Sequence, residues 1–303
     1  MNRIIHIESI TQLLDSYEVE KPKHPLVAVV DLSKVGVSEG MSHVKLTANL
    51  FSITLKTKSP LQLKYGRSFI DFAEGSLYGC APGQVLEVSE TASVGDFEGW
   101  ALYFHPDLIL GHTLSGKISD YGFFDYETNE ALHLSEQEKE TLNSIIEKID
   151  EECSTNIDEF SRDVLVSSIE FLLNYIRRYY SRQFITRKTQ NTDFQSRFEQ
   201  LIKGYFDSEK IEVDGLPSVQ YFANSLHLSP SYLSDLLKKE TGKNAQEQIH
   251  FYLIEKAKYL LLNSETTVSE IAYQLGFEHP PYFSRLFKKK VGVSPSDFRS
   301  SMN

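Results

Sequence analysis

The chain is poor in the residues that would mark several common functional classes. Two cysteines, Cys80 and Cys153, occur in 303 residues, too few for a disulfide framework and not spaced as a CxxC metal knuckle. They read as reduced thiols. No uncharged apolar stretch approaches the ~18 residues that a membrane-spanning helix needs. The first twenty residues, MNRIIHIESITQLLDSYEVE, carry acidic side chains early and no continuous apolar run, unlike an export signal. A cytoplasmic protein with no membrane partner is expected. Basic charge is scarce as well: 31 Lys+Arg against 42 Asp+Glu give a net charge of −11. Such a molecule repels nucleic acid unless its basic residues are concentrated somewhere.

What is present describes an ordinary globular chain, 41% hydrophobic and 24% charged, long enough for about two domains at ~150 residues each. Charge divides it unevenly. Leu216 to Asn303 holds 10 Lys+Arg and 8 Asp+Glu, a net of +2, which leaves −13 for residues 1–215.

Between Pro25 and Pro106 run short segments rich in β-branched and aromatic residues: PLVAVV, LFSITLK, SFIDF, LYGCAPGQVLEV and GWALYF. KSP, EGS, APG and VGD separate them. In LFSITLK, Phe51, Ile53 and Leu55 alternate with polar neighbours, the period of a strand with one buried face. Several such strands with Gly/Pro turns imply a sandwich or small barrel.

The pattern changes at Leu134. Ser135 and Glu138 form an S-x-x-E capping box, after which Leu142, Ile145, Ile146 and Ile149 follow helical spacing. Leu165, Ile169, Leu172, Ile176 and Tyr179 repeat it in a second helix. The two helices can brace the β domain or pair between subunits, and dimerisation is the reading carried forward. The stretch RRYYSRQFITRKTQNTD, polar and basic, reads as a linker.

The C-terminal third repeats itself. SVQYFANSLHLSPSYLSDLLKKETGKNAQEQI and TVSEIAYQLGFEHPPYFSRLFKKKVGVSPSDFR align with one inserted residue, pairing Val219 with Val268, Ala223 with Ala272, Leu226 with Leu275, Leu236 with Leu286, Lys238 with Lys288 and Gly242 with Gly292. Each unit has the dimensions of a helix-turn-helix. Thr267 with Glu270 caps one helix; Ser229-Pro230 and Ser294-Pro295 open two others. Gly276 supplies the turn of the second unit, and His227 in its place implies a less ideal turn in the first. Between the units, Ile249, Leu253, Ala257, Leu260 and Leu261 share one face of a helix over about 245–262, ~27 Å long. That rod suits two units entering successive major-groove segments, since one DNA turn advances ~34 Å.

The stretch KAKYLLLNSETTVSEIAYQLGFEHPPYFSRLFKKKVGVSPSDFR, preceded by LSPSYLSDLLKKETG, resembles the AraC/XylS family of transcription regulators, over about Phe194 to Arg299. The resemblance implies an α+β chain: a cupin-like β-barrel (jelly-roll) sensor over 1–133, a helical dimerisation region over 134–183, a linker at 184–193, and an all-α tandem helix-turn-helix domain over 194–303. It implies promoter DNA as partner, a homodimer, RNA polymerase as a further partner if the protein activates, and a small-molecule effector of unspecified identity.

The resemblance places the start of each unit's second helix in the major groove. That maps onto Ser231, Tyr232, Ser234 and Asp235 in the first unit and onto His279, Pro280, Pro281, Ser284 and Arg285 in the second. Arg285 is the expected base reader, because arginine can bond guanine O6 and N7 together. Lys238, Lys239, Lys288, Lys289 and Lys290 suit phosphates rather than bases. The N-termini of the helices after Ser218 and Thr267 offer backbone N–H groups to phosphate as well. Asp235 stands where the family commonly has arginine, so the first unit is expected to read few bases. Phe222, Phe277, Tyr282, Phe283 and Phe287 sit at core spacing and read as packing residues.

In the sensor, Trp100 and Tyr103 of GWALYFHP are weak candidates for stacking on an effector. His43, His105, His112 and His133 are too scattered for the HxH-plus-Glu set of metal-binding cupins. No metal, cofactor or catalytic residue is expected, since neither a ligand set nor a nucleophile with its base is visible. Two alternatives remain at this point: a double helix-turn-helix that binds a protein partner, and a cupin-type enzyme fused to a DNA-binding domain.

Overall fold

A computed structural model describes residues 4–36, 44–58, 64–65, 68–69, 75–88, 93–127, 130–186, 188–208 and 210–302. The chain divides into two compact units, Met1–Thr186 and Arg187–Asn303. The division falls inside the 184–193 segment read as a linker, and helix occupies both sides of it.

The first unit mixes sheet and helix. Its elements are β1 (Ile4–Ile7), α1 (Ile10–Ser16), β2 (Val27–Asp31), β3 (Val44–Ala48), β4 (Phe51–Lys58), β5 (Lys64–Tyr65), β6 (Ser68–Phe69), β7 (Ser76–Cys80), β8 (Val85–Val88), β9 (Glu98–Phe104), α2 (Pro106–Ile109), α3 (Thr113–Lys117), β10 (Leu132–His133), α4 (Glu136–Cys153) and α5 (Ser161–Thr186). Of the β-rich segments, PLVAVV becomes β2, LFSITLK β4, LYGCAPGQVLEV β7 and β8, and GWALYF β9, while SFIDF begins as β6 and its last three residues lie outside the described residues. The strands form a five-stranded sheet in the order β10-β7-β4-β9-β2 and a three-stranded sheet β1-β3-β8, with β5-β6 a separate hairpin. Among the described residues no strand pairing joins the two larger sheets, and a closed barrel is not shown.

Alternation in β4 behaves differently from the expectation of one buried face. Ile53 and Leu55 are buried, and so are Ser52 and Thr54 on the opposite side. Alternation fixes which residues share a face, whereas burial depends on what packs against it.

α4 starts with the expected capping box: Glu138 N donates to Ser135 Oγ and Ser135 N to Glu138 Oε2. The stripe Leu142, Ile145, Ile146, Ile149 and the stripe Leu165, Ile169, Leu172, Ile176, Tyr179 are all buried. Trp100 Nε1 donates to Asn143 Oδ1 at 2.8 Å, and Gln183 of α5 bonds the backbone of His133 and Ala131. These two stripes are therefore spent within the unit, bracing its sheet. A face already buried against the chain's own sheet is not free to meet a partner, so pairing through this helical pair would fall to its outer side.

The second unit is all helix: α6 (Lys188–Phe206), α7 (Lys210–Asp214), α8 (Val219–Leu226), α9 (Pro230–Thr241), α10 (Ala245–Asn263), α11 (Val268–Gln274), α12 (Pro280–Val291) and α13 (Pro295–Met302). Its core gathers Phe198, Phe222, Leu233, Leu253, Phe283 and Phe287, each fully buried. No helix among the described residues is long and apolar enough to cross a membrane.

The two repeats fold alike at their turns. Gly276 has φ 80° and His227 φ 58°, both left-handed. The same pair of backbone bonds closes each turn: Gly276 N to Tyr273 O and Phe277 N to Ala272 O, His227 N to Asn224 O and Leu228 N to Ala223 O. The first turn is thus not less regular than the second; tertiary packing holds the histidine in a conformation that costs an L-residue ~1–2 kcal/mol. Replacing exposed His227 by glycine is expected to stabilise the protein. Glycine's extra unfolded-state freedom, ~0.4–1 kcal/mol, leaves a net gain of about 0.5–1 kcal/mol. A thermal melt checks this, and a lowered midpoint would mean that the imidazole contributes more than its backbone costs.

Candidate nucleic-acid interface

α12 is positioned by its ends. His279 is its N-cap but makes no side-chain capping bond, Pro280 and Pro281 fill its first turn, and Gly292 in left-handed conformation closes it with an N–H bond to Lys288 O. Phe283 and Phe287, one turn apart, are fully buried and bolt one side to the core. At about 100° per residue, Pro281, Tyr282, Arg285, Lys288 and Lys289 then share an arc of about 120° on the far side. All five are exposed. Ser284 and Pro280, half-buried, flank this arc.

The arc is basic and partly ordered. Arg285 lies over the Tyr282 ring, its guanidinium carbon 5.9 Å from the centroid, a cation–π contact that narrows the rotamers an exposed arginine samples. Lys289 and Lys290 act on α10 too: burial first, then these two ammonium groups, push the His250 imidazole below its ordinary range. Tyr282 does not behave as the core residue its aromatic type suggested. It is 54% exposed, because it sits one residue ahead of the Phe283–Phe287 stripe.

α9 repeats this plan with a narrower exposed arc. Ser229 accepts from Tyr232 N at its start, and Gly242 closes it by donating to Lys238 O. Lys238 and Lys239 are exposed; Ser231, Ser234 and Asp235 are half-buried. Tyr232 is buried at 6% exposure, on the helix side that carries Leu233, Leu236 and Leu237, where its exposed counterpart Tyr282 has a freer position.

Between them α10, opened by a capping box of Asn244 and Glu247, has 19 residues and spans ~28 Å. The helix starts differ as anion sites. The α11 start already holds a carboxylate: Glu270 accepts from Thr267 N and Oγ, bonds that pull its carboxyl below the ordinary range. A phosphate there would meet like charge. The α8 start, capped by Ser218, has no acidic residue in its first turn and keeps its attraction for anions.

A family model described as a helix-turn-helix domain matches residues 222–301, the segment that holds both turns and both arcs. The match covers this domain alone, and it is there that the chain is similar to AraC-type regulators. Similar proteins include YobQ of Bacillus subtilis (strain 168), called an uncharacterized HTH-type transcriptional regulator, 28% identical over 162 residues, 51% of this chain and 64% of that protein. RhaS of Escherichia coli O9:H4 (strain HS), called an HTH-type transcriptional activator, is 38% identical over 77 residues, 25% of this chain and 28% of its own. Among solved structures, the C-terminal domain of the two-component response regulator yesN from Fusobacterium nucleatum is 34% identical and covers 35% of this chain and 96% of its own, with a TM-score of 0.31. The chain spans less than two thirds of the length of either curated relative.

α9 and α12 are the second helices of the two helix-turn-helix units in the matched segment. The remaining sequence candidates lie in the first unit and do not converge. Trp100 and Tyr103, three residues apart on β9, face opposite sides of the sheet. Trp100 is buried and bonded to Asn143; Tyr103 OH shares a hydrogen bond with Tyr17 OH at 2.8 Å. A single stacking platform from both is ruled out by this parity. His105 caps α2, accepting from Asp107 N, and His112 lies 3.5 Å from Asp163. His43 lies outside the described residues. Among the described residues no three His, Cys, Asp or Glu gather as a metal site.

Proposed function

We propose that the protein is a sequence-specific DNA-binding transcription regulator that acts as an activator, as RhaS is named to be. The observation that carries this is the exposed basic arc of α12, with Arg285 at its centre and Lys288 and Lys289 one turn on. A net charge of −11 repels DNA, so attraction has to come from such a local concentration. Arg285 reads guanine; Ser284, His279, Pro280 and Pro281 border the groove contact; Lys238, Lys239, Lys288 and Lys289 neutralise phosphates. In the first unit Ser231, Ser234 and Asp235 make the approach, and few bases are read there. Asp235→Ala is expected to change affinity for a selected site by less than about tenfold, ~1.4 kcal/mol, in a fluorescence-anisotropy titration.

The N-terminal unit acts as a cupin-like sensor for a small effector, which alters how DNA is engaged. The protein works in the cytoplasm as a homodimer that recruits RNA polymerase. With the inner stripes of α4 and α5 buried, the pairing surface is the outer side of α5, where Val164 and Phe171 are exposed along with Phe160 just ahead of the helix, and Phe171 packs edge-on against Tyr175 at 5.0 Å. Val164→Glu is expected to convert a dimer to a monomer in analytical ultracentrifugation while leaving the melting temperature within a few degrees.

The deciding experiment is selection of genomic fragments by the full-length protein, then titration of the best fragment across a salt series. Paired short boxes about one helical turn apart, with log K falling steeply against log salt, are expected. Salt-insensitive binding without enrichment would place the double repeat on a protein partner instead.

A further inference from the structure

The two helix-turn-helix repeats are joined along the chain by α10, which packs against α9 of the first and α11 of the second. A single rod sets their distance and does not by itself set their twist. The segment ahead of the repeats supplies a second connection. α6 packs on α8, the first helix of the first repeat, and the short α7 that follows it packs on α11, the first helix of the second.

Tyr205, the last residue but one of α6, reaches both repeats. It is 4% exposed, and its ring stands edge-on to Tyr221 and Phe222 of α8, with centroids 5.0 and 6.1 Å away. Such contacts hold an orientation as well as burying area. Its hydroxyl donates to Gly215 O at 2.9 Å, the partner that a buried tyrosine hydroxyl needs. Gly215 in turn lies on the turn of the second repeat: its carbonyl carbon would stand 2.7 Å from a Cβ built on Gly276, with Ile211 O and Leu216 N at 2.9 Å. Both glycines are left-handed, at φ 76° and 80°, and without side chains the two backbones can meet. The end of α6 is anchored from α10 as well, where Lys256 Nζ donates to Phe206 O and, at 3.3 Å, to Asp207 Oδ1.

We infer that Tyr205 is a positioning residue for DNA reading, which ties the first repeat to the turn of the second and so fixes α9 and α12 at one mutual distance and twist. Its ring is held by α8, and its hydroxyl holds the backbone that buttresses Gly276; the repeats are left no independent swivel. Two linked contacts reinforce each other only while their geometry matches the span between their sites, and here both helices have to fit successive groove segments of one duplex. The inference rests on the reading of α9 and α12 as groove-binding helices.

The test has one arm without DNA and one with it. In the full-length protein, spin labels at Lys239→Cys and Lys289→Cys, exposed and at matching positions of the repeat, report the distance between α9 and α12 by pulsed electron spin resonance; the native Cys80 and Cys153 are buried. One narrow distance is expected in the otherwise wild-type protein, and a broadened or second one in Tyr205→Phe, which keeps the ring and loses only the bond to Gly215. Lys256→Met frees the same end of α6 from α10 and is expected to broaden the distance too, which keeps the test decisive should Tyr205→Phe not fold. With DNA, unlabelled Tyr205→Phe is expected to bind the selected two-box fragment about three- to tenfold more weakly. It should bind a fragment whose first box is scrambled as well as the wild type does, and melt within a few degrees of it. A distance as narrow in the variants as in the wild type, or an affinity lost equally on both fragments, would overturn the role. Enrichment of fragments by the wild type decides the regulator reading on its own, and the distance measurement uses no DNA, so either can fail without the other.

Discussion

Gly276→Ala is expected to lower the melting temperature of the C-terminal unit by on the order of 10–20 °C, and to abolish DNA binding at temperatures where the wild type still binds. Two costs add. Alanine at φ 80° pays ~1–2 kcal/mol for left-handed backbone. A Cβ at Gly276 would also stand 2.7 Å from Gly215 C and 2.9 Å from Ile211 O and Leu216 N. Those are backbone atoms, which cannot swing away as a side chain end would, and overpacking of this kind costs ~1–3 kcal/mol. At ~4–8 °C per kcal/mol for a domain of this size, the sum consumes much of a typical margin. Gly242 and Gly292 give the internal control, since both are left-handed and have nothing within 4 Å of an added Cβ. Gly242→Ala should show only the conformational part. Equal losses in a thermal melt of the two variants would mean that the 211–216 backbone does not press on the second turn.

That contrast shows what was legible in the sequence. Caps and closing glycines are local devices: Thr267 with Glu270, Ser135 with Glu138, Ser229 with Pro230, and Gly242 and Gly292 act across three or four residues, so their spacing alone locates helix ends. His227 is different. Its turn copies that of Gly276 because the packing of α8 and α9 dictates it, and no neighbouring residue announces that a histidine will accept positive φ. Tyr282 was hidden by its type; the four-residue spacing of Phe283 and Phe287 already defines the buried side and leaves Tyr282 off it. The odd spacing of Trp100 and Tyr103 likewise puts them on opposite faces of any strand.

Two features required the folded chain. RRYYSRQFITRKTQNTD reads as a linker because it is polar, but Arg, Gln and Lys are also good helix formers. α5 runs through it to Thr186, and α6 begins at Lys188. In β4 the alternation of Ser52, Thr54 and Lys56 with Phe51, Ile53 and Leu55 is the pattern of a strand with a wet face. Only the pairing with β7 and β9, and the absence of exposure at Ser52, Thr54 and Ser76, shows that this polar face is internal.

Arg285→Ala is expected to cost about 10–100-fold in affinity for the selected site and to erase preference at one guanine position, while its effect on non-specific DNA stays small. The reasoning starts from geometry. α12 turns Arg285 outward at the centre of its exposed arc, and the Tyr282 ring beside it limits the freedom lost when two hydrogen bonds form to one base. Such a bidentate contact is worth ~1–3 kcal/mol of discrimination, which sets the range. Lys288→Ala offers the contrast within the same helix: a phosphate contact should weaken all sequences alike and reduce the salt slope by about one. Arg285→Lys should resemble Arg285→Ala in specificity though it retains charge, because an ammonium lacks the planar fork. Tyr282→Phe should keep the preference and Tyr282→Ala blunt it. If Arg285→Ala instead lowers affinity for every sequence by the same factor and reduces the salt slope, Arg285 is a phosphate ligand, and base reading by this helix passes to Ser284, His279 or the tyrosine itself.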